Sequence, residues 1–177
     1  MYYLGIDIGA SSVKMAVVDA SGAVLRVLRL AHKGSPLPCL GALLGGLADA
    51  GDLPGECGRA VVTGSGADML RAAAPAVLEL EDVPALVKGV RALAPQAASV
   101  IGMGAQSGVF ATGFAHGSAP EFAMNESCAA GTGSFFEDQM QRLGLPLESY
   151  SDLVARAQSV PRLSGRCSVF AKTDIIH

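Results

Sequence analysis

The sequence predicts an α/β fold made of two related half-domains. Half of the 177 residues are hydrophobic, only 5% are aromatic and Trp is absent, so the core must consist of small aliphatic side chains, which suits sheets flanked by helices. Residues 100–115 also align with residues 5–20 without a gap, and each stretch holds a glycine turn between β-rich segments. We therefore expect a first half-domain over residues 1–96 and a second, truncated one over residues 97–177.

Three strands are expected to open the first half-domain. Hydrophobic runs at residues 2–8, 12–19 and 23–30 are separated only by the short turn sequences at 9–11 and 19–22. Strands joined this tightly form an antiparallel meander.

A helix, a strand and a second helix are expected to follow. Residues 36–50 have helical character despite their glycines, residues 59–64 (RAVVTG) form a short apolar run, and residues 82–94 place apolar side chains on one helical face. That face consists of Val83, Leu86, Val87, Val90 and Leu93.

The second half-domain is expected to begin with its own hairpin at residues 100–115. Helices are predicted at 134–143 and 150–158. Ser134 and Glu137 have the spacing of a capping box, which predicts that the first of these helices begins directly after Ser134.

The first glycine hairpin has the chemistry of a phosphate site. A tight glycine turn exposes backbone N–H groups and lets phosphate oxygens approach them, and Asp7 at the end of the first strand can hold Mg²⁺ through water. Neither a P-loop nor a Rossmann glycine pattern is present. The alternative is a purely structural turn. The expected phosphate-binding residues are Gly9, Ala10, Ser11, Ser12 and Lys14.

The second hairpin repeats the turn but lacks the acid. Gly102 stands where Asp7 stands in the first copy, so Gln106 is the remaining polar candidate for a catalytic role. We expect slow nucleotide hydrolysis. The corresponding phosphate-binding residues are Gly104, Ala105 and Ser107.

Two of the four cysteines lie in places that suggest chemistry. Cys128 precedes a glycine-rich loop and a helix N-terminus, where the helix dipole favours anions and thiolates, and Cys167 lies in GRCS. The four cysteines show no CxxC spacing, so a disulfide framework is not expected. Neither Cys128 nor Cys167 has a His or Cys at the spacing of zinc ligands. Two thiolates from each of two chains would supply the four that an iron–sulfur cluster requires. Cys39 and Cys57 are expected to be buried small residues.

Composition excludes several functional classes. The net charge is −3 and no basic patch or aromatic RNA-binding motif occurs, so nucleic acid is not expected as a partner. The N-terminus does not resemble a signal peptide, and the uncharged stretches are too polar to span a bilayer. We expect a cytoplasmic protein that does not bind membranes.

Four motifs together resemble one known family. NESCAAGTGSFFEDQ (125–139) and GRCSVFAKTDIIH (165–177) are similar to the two cluster-binding motifs of the BadF/BadG/BcrA/BcrD ATPase family. Its members activate 2-hydroxyacyl-CoA dehydratases and have relatives in benzoyl-CoA reductase. GIDIGASSVK resembles the family's first phosphate motif, and VVTGSG resembles its TGYG segment. The GAQS variant, together with SFFEDQ and FAKTDIIH, looks most like the first activase unit of the long multidomain members.

The resemblance implies an actin-like ATPase (ribonuclease H-like) fold and a homodimer. One 4Fe–4S cluster would bridge the subunits, held by Cys128 and Cys167 of each, with ATP and Mg as further cofactors. ATP binding would open the angle between the subunits and allow one electron to pass to a dehydratase or related reductase, possibly fused downstream, where it makes a ketyl radical possible. Ferredoxin or flavodoxin would donate that electron. The adenosine-binding segment is expected beyond residue 177.

Two other functions fit parts of the sequence. A sugar or N-acetylhexosamine kinase of the same superfamily would need a catalytic Asp, which the second hairpin does not offer. A degenerate, non-enzymatic dimerisation module would agree with Gly102 but not with the intact cysteine motifs.

Overall fold

The computed structural model describes residues 1–114, 120–125, 132–164 and 167–176. The chain divides into two compact units, Met1–Leu93 and Ala94–His177. The elements of the first unit are β1 (Tyr2–Ile8), β2 (Ser12–Asp19), β3 (Val24–Ala31), α1 (Pro36–Asp49), β4 (Cys57–Thr63), α2 (Ala67–Ala73), β5 (Leu78–Glu79) and α3 (Asp82–Leu93). The predicted α/β class is confirmed.

A five-stranded sheet organises the first unit, in the order β3-β2-β1-β4-β5. The first three strands are antiparallel, as the meander predicts, whereas β4 runs parallel to β1 and β5 parallel to β4. Residues alternate between the faces of β1, and its buried side chains join those of β2, α1 and α2 in one apolar cluster. The largest fully buried members of that cluster are Ile8, Val13, Met15, Val17 and Val62.

The turn between β2 and β3 is fixed by Asp19. Its carboxylate accepts hydrogen bonds from the Ser21 hydroxyl and from the Ser21 and Ala23 N–H groups, which lowers the pKa of Asp19, the Ser21 hydroxyl contributing most. This Asx-type geometry explains why the sequence DASG predicts the turn correctly. Helix α2 and strand β5, by contrast, are short and are not predicted from periodicity.

The second unit carries a three-stranded antiparallel sheet of order β6-β7-β8. Its predicted hairpin is confirmed, but β8 and the last helix are not predicted, and the helix expected over 150–158 ends earlier. Within the described parts of the chain, no helix is long and apolar enough to cross a bilayer. The elements are β6 (Ser99–Met103), β7 (Gly108–Thr112), β8 (Glu121–Met124), α4 (Gly133–Arg142), a 3₁₀ turn (Leu147–Ser149), α5 (Tyr150–Ala155) and α6 (Ser168–Ile176).

Candidate functional site

The first hairpin brings its predicted residues together at one end of the sheet. Asp7 faces Lys14 across the β1–β2 ladder, and the Lys14 Nζ donates to the Asp7 carboxylate at 2.7 Å. The Gly9 N–H closes the turn on the Ser12 carbonyl at 3.1 Å. The turn therefore places one carboxylate and one ammonium group beside a short run of backbone.

Ala10 and Ser11 supply the exposed donors of this turn. Both residues are exposed, whereas Ser12 is only 2% exposed, so the Ser12 hydroxyl does not face solvent. The described residues offer no hydrogen-bond partner to the N–H groups of Ala10 and Ser11. Unpaired N–H groups in a glycine turn are suited to phosphate oxygens.

A second loop, from the end of β4 to α2, lies behind Asp7. The Gly66 N–H donates to the Ile8 carbonyl at 2.9 Å, and an added Cβ at Gly64 would come within 2.7 Å of an Asp7 carboxylate oxygen and 2.4 Å of the Ile8 carbonyl oxygen. Only glycine therefore fits at position 64, where the φ angle is also +96°. The loop from Thr63 to Gly66, here called the β4–α2 loop, therefore packs against the Asp7 carboxylate.

Asp82, the first residue of α3, holds the β4–α2 loop in place. One of its carboxylate oxygens accepts two hydrogen bonds, from the Thr63 hydroxyl at 2.8 Å and from the Gly64 N–H at 2.7 Å. Asp82 is not predicted from the sequence. Its only signal is an acid at a helix start, which is common for dipole reasons alone.

We expect Gly64→Ala to destabilise the first unit by about 2–4 kcal/mol, because a strained left-handed backbone and an overpacked contact add together. Gly22→Ala is the matched control, since Gly22 has a φ of +90° but open space around its Cβ position, and we expect it to lose only about 1–2 kcal/mol. Chemical denaturation of both variants measures the difference. Equal losses would show that the contact with Asp7 and Ile8 is not tight.

An apolar cavity of about 290 Å³ lies on the sheet face of Asp7 and Lys14. Its walls include Gly5, Ala16 and Val61, and such a lining offers few hydrogen-bond donors. The unpaired N–H groups of the turn are therefore better suited to phosphate oxygens than this mainly apolar cavity is.

The second hairpin has the same geometry as the first. The Gly104 N–H closes the turn on the Ser107 carbonyl at 2.7 Å, and Gly102 faces Val109 across the β6–β7 ladder as Asp7 faces Lys14 in the first copy. Gln106 is exposed within the turn. The shared register supports the gapless alignment of the two stretches, and Gly102 leaves no side chain at the place of the Asp7 carboxylate.

Helix α4 begins on the turn of this second hairpin. The Gly133 N–H donates to the Gly104 carbonyl at 2.7 Å, and the Ser134 N–H and hydroxyl both donate to the Ala105 carbonyl. The predicted capping box is wrong: Thr132 is the N-cap and makes no side-chain capping hydrogen bond. Tertiary carbonyls satisfy the first-turn N–H groups, so the helix starts at Gly133.

An ion pair joins α4 to α6. The Lys172 ammonium lies 2.5 Å from the Asp138 carboxylate, and the Arg142 guanidinium lies 3.3 Å from it. The hydrogen bond from Lys172, followed by that from Arg142, lowers the pKa of Asp138. Because this pKa is lowered in the folded state, the pair stabilises the fold above the ordinary carboxyl value of 3.8, and that contribution is lost as the pH falls through the folded value.

Of the two candidate metal ligands, Cys128 lies outside the described residues. Cys167 is half-buried and unpaired, and its carbonyl accepts the Ala171 N–H at 3.0 Å, so it stands at the N-terminus of α6. A partly accessible thiol at a helix N-terminus is suited to bind a metal as thiolate. Among the described residues, no three His, Cys, Asp or Glu side chains form a metal site, so Cys167 would need ligands from elsewhere.

The other two cysteines differ from each other. Cys39 is buried in the core, as expected, and its thiol lies 3.6 Å from the Leu30 carbonyl oxygen. The expectation for Cys57 is wrong, since this residue is exposed. The reason is that β5 pairs with β4 only at Val61 and Val62, which leaves the Cys57 end of β4 uncovered.

Residues 4–177 match the sequence model of the BadF/BadG/BcrA/BcrD ATPase family. The activator of lactoyl-CoA dehydratase from Anaerotignum propionicum is 29% identical over 177 residues, which cover 99% of this chain and 67% of that protein. Three curated relatives match almost the whole of this chain, and the chain spans about two thirds of the length of each.

Solved structures agree with this sequence match. The Acidaminococcus fermentans (R)-2-hydroxyglutaryl-CoA dehydratase component A has a TM-score of 0.81 at 24% identity, over 99% of this chain and 67% of that one. The Clostridium difficile activator of 2-hydroxyisocaproyl-CoA dehydratase, solved with bound ADPNP, has a TM-score of 0.78 at 23% identity, over 99% and 65%. The actin-like ATPase fold is confirmed.

Proposed function

Since the chain belongs to the BadF/BadG/BcrA/BcrD ATPase family, we propose that it is an ATP-dependent activator that passes single electrons to a partner enzyme. That partner is a 2-hydroxyacyl-CoA dehydratase or a related reductase of the benzoyl-CoA type. Relatives named as dehydratase activators match almost the whole chain. The proposal includes a homodimer, because one chain supplies only two of the thiolates that a cluster needs.

The position of α4 is the observation that supports this function most strongly. Its first turn donates hydrogen bonds to the phosphate hairpin at Gly104 and Ala105, and its Asp138 pairs with Lys172 of α6. Helix α4 directly follows the Cys128 motif, and α6 directly follows Cys167. One helix therefore connects a nucleotide-binding element to the segments that carry both cysteines, which is the connection that an ATP-dependent electron donor requires.

In the first unit, the turn at residues 9–12 binds phosphate oxygens through the exposed N–H groups of Ala10 and Ser11. Asp7 would hold Mg²⁺ through water, as is usual for a cation that keeps several of its waters. Lys14 lies 2.7 Å from the Asp7 carboxylate and would be free to donate to a phosphate oxygen if that carboxylate faced hydrated Mg²⁺ instead.

In the second unit, the turn of Gly104, Ala105 and Ser107 binds phosphate in the same way, and Gln106 orients the attacking water. Gly102 provides no carboxylate to polarise that water. Hydrolysis is therefore slow, which keeps the ATP-bound state long enough for an electron to leave.

Cys128 and Cys167 would hold the cluster, with two thiolates from each subunit. A 4Fe–4S cluster, when bound, supplies one electron at a low potential that its surroundings adjust. The N-terminus of α6, with its partial positive charge, lies beside Cys167 and suits an anionic cluster.

The proposed function is tested on full-length protein purified without oxygen. We expect four irons and four sulfides per dimer, lost on brief exposure to air, together with reduction of an added dehydratase in the presence of a chemical one-electron donor and ATP. Replacing ATP by ADPNP serves as the control and should stop turnover.

An iron-free monomer that still binds ATP would contradict the proposal and favour the sugar-kinase alternative, which phosphate transfer to candidate sugars then tests. An iron-free dimer that binds no nucleotide would favour the non-enzymatic dimerisation module.

A further inference from the structure

His32, directly after β3, makes two hydrogen bonds to the first glycine turn, and its ring accepts another from Gly34. Its backbone N–H donates to the Ser11 carbonyl at 3.1 Å. Its ring Nε2 lies 3.0 Å from the Gly9 carbonyl oxygen, and its Nδ1 accepts the Gly34 N–H at 3.0 Å. One residue thus contacts two carbonyls of the turn.

The tautomer of His32 follows from these contacts. A backbone N–H can only donate, so Nδ1 must be the unprotonated nitrogen that accepts from Gly34. The ring proton of the neutral side chain is then on Nε2 and is donated to the Gly9 carbonyl. The chain adopts positive φ angles at Lys33 (+47°) and Gly34 (+89°) to make this arrangement possible, and such a conformation is uncommon for lysine.

The bond to Gly9 sets the direction of a phosphate donor. The peptide unit between Gly9 and Ala10 is planar and trans. The carbonyl of Gly9 and the N–H of Ala10 therefore lie in one plane and point in opposite directions. When His32 fixes that carbonyl on the rear side of the turn, it fixes the Ala10 N–H toward the exposed side. A hydrogen bond to the carbonyl also polarises the peptide and strengthens its N–H as a donor.

The second hairpin supports this assignment independently. The carbonyl of Gly104, which corresponds to Gly9, also accepts a hydrogen bond from outside its own hairpin, in this case from the Gly133 N–H at 2.7 Å. The donor differs in chemistry and in its place in the sequence, yet the same carbonyl is held in both copies.

We propose that His32 is a positioning residue for nucleotide binding, which orients the Ala10 N–H toward phosphate through the Gly9 peptide. This inference rests on the proposed function of the first hairpin as a phosphate site. His32 itself does not contact the ligand.

Three variants of the full-length protein separate the two ring contacts. His32→Gln places an amide N–H near the position of Nε2 and keeps the donor to Gly9, whereas His32→Asn places an oxygen near the position of Nδ1 and keeps only the acceptor for Gly34. His32→Ala removes both. Affinity for ADPNP with Mg²⁺ is measured by calorimetry, beside the midpoint of chemical denaturation.

We expect His32→Asn and His32→Ala to weaken ADPNP binding about tenfold, as one lost hydrogen bond that orients a donor would do. His32→Gln is expected to bind ADPNP with an affinity within about threefold of that of wild type. We expect this result whichever of the three variants is the most stable to denaturant. A wild-type protein that binds no ADPNP would contradict the proposed function itself. Wild-type affinity in His32→Asn, or equal losses in the Gln and Asn variants, would contradict only the role of His32.

A measurement on the wild-type protein covers the case in which a variant does not fold. Nitrogen-15 NMR of the imidazole distinguishes the two neutral tautomers. A proton on Nε2 is the expected result, and a proton on Nδ1 would overturn the inference.

Discussion

Alanine at either Cys128 or Cys167 is expected to leave anaerobically purified full-length protein with almost no iron or sulfide. If each subunit contributes two thiolates to one 4Fe–4S cluster, the loss of one residue removes two of the four ligands in the dimer. A cluster with two missing thiolates does not persist through purification. Iron and sulfide analysis, with the visible absorption of the cluster, measures the outcome directly.

Cys39 and Cys57 are the matched controls, because one is less and the other is more accessible than a cluster ligand is expected to be. Cys39 is buried in α1 and cannot reach a shared cluster, whereas Cys57 is exposed at the start of β4 and tests whether any accessible thiol recruits iron. We expect the alanine variants of both to retain full iron content.

Nucleotide binding separates loss of the cluster from loss of the fold. The proposed phosphate turns lie on other elements, so Cys167→Ala should still bind ADPNP with Mg²⁺. Equal iron content in all four cysteine variants would contradict the assignment of Cys128 and Cys167 as cluster ligands.

Much of the fold was predictable because its signals are local. Alternating burial along β1, the tight turns and the Asp19 motif depend on neighbours within a few residues, and the first three strands are found where the sequence places them. The repeat was also predictable, since the two hairpins share residue types as well as register.

The rest depended on contacts between distant segments. The start of α4 is set by carbonyls of Gly104 and Ala105 rather than by the local Ser134 signal, because a tertiary acceptor satisfies a first-turn N–H as well as a side chain does. Asp82 bonds the β4–α2 loop that lies against the first hairpin, and His32 comes beside that hairpin because β3 pairs with β2. No spacing in the sequence marks such residues, and a single acid or histidine has many structural roles.

Asp7→Asn is expected to weaken binding of Mg–ADPNP about 10- to 100-fold. The change keeps the shape of the side chain but removes the negative charge proposed to hold the hydrated metal, and contacts to charged groups are worth about 1.5–3 kcal/mol. Calorimetry on the full-length protein with ADPNP in the presence of Mg²⁺ measures this loss.

The dependence on Mg²⁺ decides whether Asp7 acts through the metal. The carboxylate now pairs with Lys14 at 2.7 Å, so Asp7→Asn releases that ammonium group for phosphate, and binding of ADPNP in EDTA should be unchanged or tighter. Asp52→Asn is the matched control, because Asp52 forms an ion pair of the same length with Arg26 away from the turn and should lose no affinity in either buffer. If Asp7→Asn were equally weak with and without Mg²⁺, the residue would support the turn only through its pair with Lys14. If it bound Mg–ADPNP like wild type, Asp7 would not belong to the site.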